Sequence, residues 1–441
     1  MSGPARSAPP SGAAVPLALA AILAAAAPAG AADGWASARV VTRLVLLPEV
    51  SLADEGTTIR LAAPWVSMVE ADAGRPAEGW ALRVRGYLMT DVRAPGAAGA
   101  EGFGAGSGGG TGSGAALAIA TLDWQAPGSP LAATLGRQLL ALGTGRLERG
   151  DGLRLTFRVA PALKLTAFVG AAAPPAWVGP GPFVTDVDPR AAHPLLLMAR
   201  ADLRPLRALA LGIALSHLAG ERTWLGVDTA LALGPAAVLA RAAYDPDARD
   251  LASAAASVSA AVGRLNFAAG VQRVRPDLLL PRDSLLRAFA GPPRDEAFAS
   301  ALAALGVLRV GADASAILFE DGPGMDARVR ARLTLAGGLR PAVDADVGWL
   351  ATPSGGYLVA RLGLRAGNAL ASASLDGTFY LRDAPPAHGG SPFTGAVRLA
   401  ALWRATPWLR VGADGGWAST PWLVYGLSAG MTLEGSYDVV R

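Results

Sequence analysis

The segment FTGAVRLAALWRATPWLRVGADGGWAST, residues 393–420, decides the fold. It predicts two β-strands around a turn at residues 405–408, where Pro407 fixes φ and disfavours a helix. Apolar and polar residues alternate with period two in both strands, which gives each strand one apolar and one charged face. The apolar face comprises Val397, Leu399, Ala401, Trp403, Leu409, Val411, Ala413 and Trp417. Tryptophans near the strand ends suit a lipid-facing surface, although a hairpin of a soluble sandwich is also apolar on one face.

Repetition of this pattern distinguishes the two interpretations. Alternating stretches recur from residue 79 to residue 434, at intervals of about 26 to 30 residues, the length of one hairpin with its connections. The short turns are predicted at residues 161–162, 205–206, 234–235, 263–264, 340–341, 367–368 and 406–407. The longer connections are predicted at residues 94–114, 172–194, 244–250, 276–294, 320–325 and 383–392. We therefore predict an all-β chain, a transmembrane antiparallel up-and-down β-barrel of about 20 strands, within a range of 16 to 22.

The same topology predicts the placement of the connections. The long loops at residues 94–114, 172–194 and 276–294 should lie at one barrel end, and the proline turns at Pro161, Pro205, Pro341 and Pro407 at the other. An even strand number leaves both ends of the barrel chain in the periplasm. Residues 276–294 are the least regular loop, which either folds inwards as a constriction or forms a surface loop with its own apolar cluster.

Composition agrees with a barrel. The chain has 441 residues and is 52% hydrophobic, yet beyond the N-terminal segment no apolar run reaches the ~18 to 20 residues of a spanning helix. Lys and Arg number 39 against 35 Asp and Glu, a scattered balance that does not indicate nucleic acid as a partner. The absence of Cys excludes disulfides, a lipoprotein anchor, a thiolate zinc site and a covalent c-type haem motif. No cofactor is predicted.

The N-terminus indicates secretion. Residues 15–27 form an apolar core, and Ala29-Gly30-Ala31 is a signal-peptidase motif, so residues 1–31 are predicted to be a cleaved secretory signal peptide. An uncleaved anchor helix is the alternative, which the short apolar run disfavours. Residues 32–78 are either an extra strand pair or an N-terminal periplasmic segment, and residues 79–441 form the barrel, with the last strand ending near Tyr437. The predicted location is the outer membrane of a Gram-negative bacterium.

Charged side chains occupy the face opposite the apolar one. An Arg facing lipid at the bilayer midplane would cost ~2 to 4 kcal/mol, so these residues are predicted to line a water-filled pore. The predicted pore-lining residues are Arg83, Arg85, Arg154, Arg158, Arg200, Asp202, Arg204, Arg309, Asp313, Arg328, Arg330, Arg332, Asp344, Asp346, Arg361, Arg365, Asp376, Arg398, Arg404, Arg410 and Asp414. Arg outnumbers Asp in this set, which predicts a modest preference for anions.

One short series of motifs carries a family resemblance. Gly136-Arg137-Gln138 is followed by Gly143, by Gly145-Arg146 and by Asp151-Gly152. This series resembles one found in several families of outer-membrane channels, and the chain is similar as a class to bacterial outer-membrane porin-like β-barrel channels. The resemblance implies a class of fold and function and no substrate. Read without the resemblance, Arg137 and Arg146 are ordinary wall or loop cations.

Catalytic motifs are not evident. The sequence GxGxxG at Gly104, Gly106 and Gly109 lacks the strand-to-helix context of a dinucleotide site. Ser216 and His217 are adjacent in a predicted strand and so face opposite sides, while His193 and His388 fall in loops. Asp344 and Asp346 share a face, as an acid/base pair or cation site would, but a solvated wall is the commoner meaning. We predict that the chain is not an enzyme and has no metal site.

The predicted function is therefore an outer-membrane porin-like channel that passes small hydrophilic solutes through a charged, water-filled lumen. The implied partners are outer-membrane lipid, small hydrophilic solutes and the barrel-assembly machinery, with no nucleic acid. The first alternative is a structural barrel that sheathes a periplasmic or electron-transfer partner. An outer-membrane barrel enzyme and a secreted soluble β-protein are the weaker alternatives.

Overall fold

The computed structural model describes residues 34–53, 56–62, 64–91, 113–141, 143, 147–173, 193–279, 292–384, 391–419 and 426–440. The proposed signal peptide, the glycine motif at residues 104–109, Arg146 and His388 lie outside these residues.

Twenty-three strands and one short helix make up the described chain. The strands are β1 (Trp35–Ala53), β2 (Gly56–Ala62), β3 (Pro64–Arg75), β4 (Trp80–Asp91), β5 (Ser113–Trp124), β6 (Leu131–Leu140), β7 (Glu148–Ala160), β8 (Leu163–Ala172), β9 (Leu195–Leu206), β10 (Leu209–Leu218), β11 (Arg222–Leu233), β12 (Ala236–Asp245), β13 (Asp250–Val262), β14 (Leu265–Val274), β15 (Arg294–Leu305), β16 (Leu308–Phe319), β17 (Gly322–Thr334), β18 (Ala342–Thr352), β19 (Gly355–Gly367), β20 (Ala371–Arg382), β21 (Phe393–Thr406), β22 (Leu409–Ser419) and β23 (Gly426–Val440). The helix α1 (Pro276–Leu279) lies between β14 and β15.

The sheet closes on itself. From β3 to β23 each strand pairs antiparallel with the next, and β1 pairs with both β3 and β23. The result is a closed barrel of 22 strands, which confirms the predicted fold class. In the described chain β2 pairs only with the outer part of β1, where Leu47 to Ala53 continue beyond the wall.

The N-terminal residues raise the strand number to 22, since β1 and β3 belong to the wall. The expected end of the last strand near Tyr437 is wrong. The strand β23 runs to Val440, because pairing with Trp35 at the start of β1 holds its final residues in the sheet.

Strand directions define two barrel ends. We call the end with Trp35 and Val440 the terminal end, and the opposite one the far end. The strands that flank residues 94–114, 172–194 and 276–294 meet those connections at the far end, and Pro161, Pro341 and Pro407 lie in turns at the terminal end. Pro205 lies near the end of β9, just before the turn at residues 207–208, at the same terminal end. The predicted orientation of the connections is confirmed.

The two faces of the wall differ in chemistry. Arg200 of β9 reaches Asp228 of β11 at 2.6 Å across the intervening β10, a contact that the concave side of a curved sheet allows. The ion-paired face is therefore the inner face. Val329 and Leu399 lie on the other face, with exposed fractions of 57% and 58%, in an outer surface rich in exposed large apolar side chains.

The helix α1 lies inside the far end of the barrel. The indole Nε1 of Trp224 donates to the carbonyl of Leu278 at 3.0 Å, and Arg222 Nη1 donates to the carbonyl of Asp277 at 3.1 Å. Leu278 belongs to an apolar cluster on the inner wall, whose buried members include Leu140, Phe168, Leu196, Met198, Leu218 and Trp224. Within residues 276–294, residues 276–279 thus fold inwards, as the constriction alternative requires of this part. No helix in the described residues is both long and apolar enough to cross a membrane.

Candidate functional site

The inner wall is the candidate functional site. Strand alternation and register place all the predicted pore-lining residues on this face, including Arg83 beside Asp72, Arg328 beside Asp346 and Arg365 beside Asp376. Most of these charges meet an opposite charge on an adjacent or next-nearest strand. The wall is therefore a lattice of ion pairs.

Arg200 is at the centre of the densest part of this lattice. Its Nε donates to Asp202 Oδ1 at 2.7 Å, and its Nη1 and Nη2 form a bidentate pair with Asp228 at 2.6 and 2.9 Å. Lys164 Nζ lies 3.1 Å from the other oxygen of Asp202. Two cations and two carboxylates thus form one network over strands β8 to β11, in which a bidentate guanidinium fixes geometry as well as charge.

Glycines make room for this network. Gly212 of β10 lies between Arg200 and Asp228, and a Cβ there would collide with both the guanidinium and the carboxylate. Gly143, in the connection between β6 and β7, approaches the same guanidinium so closely that its Cβ would also collide with it. Its φ of 89° lies in the left-handed region, which glycine adopts without steric cost. The connection therefore packs inwards onto Arg200.

An open cavity beside this network is lined on several sides by charged and hydroxyl groups. It has a volume of about 850 Å³ and lies under Gly143 and Leu147. Its polar lining consists of Arg154, Thr156, Lys164, Thr166, Arg200, Asp202, Asp228 and Arg241. The register places Arg241 directly opposite Asp228. A hydrated anion or zwitterion entering this space would meet cations and acceptors at close range.

A second charged sector lies on β16 to β18. Arg328 Nε is 3.7 Å from Asp346, Arg330 Nη2 is 3.0 Å from Asp313, and Arg332 Nε is 3.5 Å from Asp344. The three arginines of one strand face therefore have carboxylate neighbours on both flanking strands. Asp344 and Asp346 each pair with an arginine, as expected of a solvated wall.

A third charged sector joins the first and last strands. Arg43 of β1 and Arg398 of β21 both approach Asp414, at 2.7 and 3.4 Å. In the same way Arg39 and Arg410 both approach Glu434, at 3.1 and 3.4 Å. Each carboxylate thus serves two arginines, and the contacts made by Arg39 and Arg43 cross the closure between β1 and β23.

Several charged wall residues were not in the predicted set. The additional cations include Arg39, Arg43, Lys164, Arg222 and Arg241, and the additional acids include Glu70, Asp72, Asp123, Asp228, Asp245, Glu296, Asp326 and Glu434. More acids than cations were missed, so the positive excess of the described wall is smaller than the sequence assignment indicated. The alternation of side chains along each strand predicts that these residues face inwards. Only the register between strands shows which of the charges form pairs.

The motif residues separate on the two faces. Gln138 is buried on the inner side, whereas Arg137 lies on the outer side near the far end and pairs with Asp151, its Nε 2.6 Å from Oδ1. Gly136 has a φ of 114° and no room for a Cβ against the carbonyl of Ala120. His217 lies on the face opposite to buried Ser216 and contacts Thr223 Oγ1 at 2.9 Å. The structure therefore does not bring Ser216 and His217 together.

Comparison with known proteins finds large barrels. No family model and no curated protein matches the chain. A crystal structure of Pseudomonas aeruginosa OpdK with vanillate is 10% identical, with a TM-score of 0.44, and the match covers 92% of this chain and 99% of that one. Acinetobacter baumannii OccAB1 is 11% identical at a TM-score of 0.40, covering 92% and 97%. The translocation pore of the P pilus usher PapC is 11% identical at 0.42, covering 92% and 100%.

Proposed function

We propose that this chain forms an outer-membrane channel that passes small hydrophilic solutes. The observation that carries the proposal is the division of one closed wall into an apolar outer face and an inner face of exposed ion pairs. Charged groups are stable on the inner face only in contact with water, and apolar groups on the outer face favour lipid. A membrane barrel with an aqueous lumen satisfies both requirements.

Aromatic side chains support the membrane placement. On the outer face, Trp80, Trp124 and Trp403 lie near the terminal end, and Trp65 and Trp349 lie near the far end. Indole rings prefer the two membrane–water interfaces, so these groups mark the edges of a lipid-facing band. The short turns support a periplasmic position for the terminal end and an external position for the far end. Insertion by the barrel-assembly machinery follows from this placement.

The selectivity proposed for the channel is a modest preference for anions. The inner face keeps more cations than acids, but most cations have a carboxylate neighbour within 4 Å. A paired wall attracts ions of both signs locally, and only its net excess biases selectivity. Solutes with a hydrated charge should therefore pass with limited discrimination.

Passage narrows at the far end. The helix α1 and the connection around Gly143 occupy part of the mouth, and beneath them lies the network around Arg200. A solute entering from outside thus passes the apolar cluster around Leu278 before it reaches the charged wall.

Flux through reconstituted protein tests the proposal. The mature chain is placed in proteoliposomes, and swelling is followed in arabinose and in isotonic sodium glutamate and lysine chloride. Swelling in arabinose, with faster entry of glutamate than lysine, supports the channel. A barrel that is folded by heat-modifiable migration but gives swelling equal to empty liposomes would overturn it.

A further inference from the structure

The terminal-end rim carries arginines that the wall lattice does not neutralise. Six exposed arginines there make no ion pair within the part of the chain that the structure describes. We call this set the basic crescent: Arg158, Arg204, Arg207, Arg264, Arg309 and Arg340. Their charges therefore face solvent, unlike those of the paired arginines deeper in the wall.

The crescent occupies one arc of the rim. Its members lie on the strands and turns from β7 to β18, which are twelve of the 22 strands of the wall. The connections in this arc span residues 161–162, 207–208, 234–235, 263–264, 306–307 and 335–341, and contain no acidic residue. Five of the six connections have only two residues, so most of the rim in this arc consists of tight turns.

The rest of the rim and the other barrel end differ in charge. The only acid in the terminal-end turns of the described chain is Glu78, whose carboxylate accepts from Trp80 Nε1 at 2.9 Å and from Arg75 at 2.7 Å. The hydrogen bond from Trp80, and after it the one from Arg75, lowers the pKa of Glu78. The carboxylate therefore stays anionic and compensates the charge of Arg75. At the far end the short connections carry Glu221, Asp247, Glu320 and Asp321 against Arg249. The positive rim is thus specific to one end and one arc.

One member of the crescent has an unusual backbone conformation. Arg340 has a φ of 40°, in the left-handed region, although Gly337 and Gly338 stand nearby in the same connection. Non-glycine residues adopt this region rarely, because the Cβ comes too close to the following carbonyl oxygen. Arg249 at the far end has the same backbone conformation, so the distinguishing feature of Arg340 is its place in an arc of the rim whose connections contain no acidic residue.

The width of the barrel and the spacing of its turns indicate the size of a partner that could contact the crescent. A 22-strand barrel with strands ~4.8 Å apart and a tilt of ~40° is about 44 Å across, and successive turns on one rim are about 12 Å apart. Charges spread over half of such a rim cannot converge on one small anion. They match an extended surface that carries several carboxylates.

Side-chain direction excludes lipid as the main occupant. Arg158, Arg204 and Arg309 lie on the inner strand face, so they border the mouth of the lumen. Lipid headgroups would meet the outer face, beside Trp124 and Trp403. An occupant that contacts the turns and the mouth together must approach along the barrel axis from the aqueous side.

We propose that the basic crescent docks an acidic soluble protein at the periplasmic mouth of the barrel. The proposal rests on the membrane orientation proposed above and goes beyond the channel function. Charge complementarity would speed the encounter and orient the partner over the mouth, with strong dependence on salt. Separated exposed arginines give several weak contacts, which is typical of a reversible complex.

Binding of a defined acidic polypeptide tests the proposal. The barrel is held in nanodiscs, and poly-L-glutamate is titrated at low and at high salt. The crescent variant Arg207→Gln/Arg264→Gln/Arg340→Gln should bind it roughly tenfold more weakly than the parent, because exposed charge contacts are lost. The matched control, Arg249→Gln/Arg273→Gln/Arg382→Gln, removes the same charge at the far end and includes the other left-handed arginine. It should bind as the parent does.

Two results would overturn the docking proposal. Equal weakening in the crescent and control variants would show that only net charge matters. Binding of soluble peptidoglycan fragments at the crescent, without binding of poly-L-glutamate, would assign the surface to the cell wall. Heat-modifiable migration checks folding of both variants, and their solute flux is measured in parallel. Intact flux with lost binding separates docking from conduction, whereas lost flux in both variants would count against the channel.

Discussion

At the scale of single residues, the ion pairs of the wall depend on the small residues between the charges as well as on the charges themselves. Arg200 and Asp228 are on strands that are not neighbours, and Gly212 of the strand between them provides the gap that they close. Arg200 was predicted to face the lumen because side chains alternate with period two along a strand. Its partner was not predicted, since a single sequence does not show the register between hairpins.

Gly212→Ala tests this arrangement. The added methyl group would displace the bidentate pair and leave two charges partly desolvated, which should lower the free energy of unfolding by roughly 1 to 3 kcal/mol. Denaturant unfolding followed by tryptophan fluorescence measures the change. Gly435→Ala is the matched control, because nothing lies within 4 Å of a Cβ built there. If the two variants unfold alike, the gap at Gly212 has no special importance.

At the scale of elements, strand faces were predictable and inward-folding segments were not. The hairpin β21–β22 follows its sequence pattern, with Ala401 opposite Ala413 and Trp403 opposite Val411 on the outer face. Residues 276–294 have no such period, and only the structure shows that Trp224 and Arg222 hold α1 by its backbone carbonyls. Contacts to backbone atoms leave no pattern in the sequence of the segment that is held.

The strand β17 separates the two faces sharply. Val329→Arg combined with Ala331→Arg would place two charges in lipid, at ~2 to 4 kcal/mol each near the midplane, and should prevent assembly. Heat-modifiable migration on gels reports the folded barrel. Arg328→Gln with Arg330→Gln and Arg332→Gln changes only the inner face and should fold. Normal folding of the Val329/Ala331 variant would mean that the faces are reversed.

The attachment of α1 is testable by hydrogen exchange. Trp224→Phe removes the donor to the Leu278 carbonyl, a contact of about 1 kcal/mol, so the amides of Leu278 and Leu279 should exchange roughly fivefold faster. Trp403→Phe, on the outer face, should leave this exchange unchanged. Protection of α1 that is the same in both variants would show that the indole does not hold it.

At the scale of the whole molecule, the net charge of the inner wall is the sum of contributions from all its strands. The sequence predicted the class of fold, because repeated alternation with short turns is a property of the entire chain. The electrostatic balance was predicted less well, as Asp123, Asp228 and Glu434 were not assigned to the wall. Their pairing leaves a small difference between large opposing sets of wall charges, and the proposed selectivity rests on that difference.

Selectivity should respond to the middle of β17. Replacing Arg328, Arg330 and Arg332 by Gln leaves Asp313, Asp344 and Asp346 without these partners, so the reversal potential in a salt gradient should move towards cations. The shift should shrink in concentrated salt, where the screening length falls to ~3 Å at 1 M. Equal reversal potentials for the parent and the variant would remove these arginines from the conduction path.

Single-channel recording of the refolded mature chain in a planar lipid bilayer tests the central claim most directly. A barrel with an aqueous, ion-paired lumen predicts discrete conductance steps, with a reversal potential in a KCl gradient displaced modestly towards that of chloride. A heat-modifiable, correctly folded barrel that inserts into the bilayer without any conductance steps would contradict the claim that this wall encloses an open path for solutes.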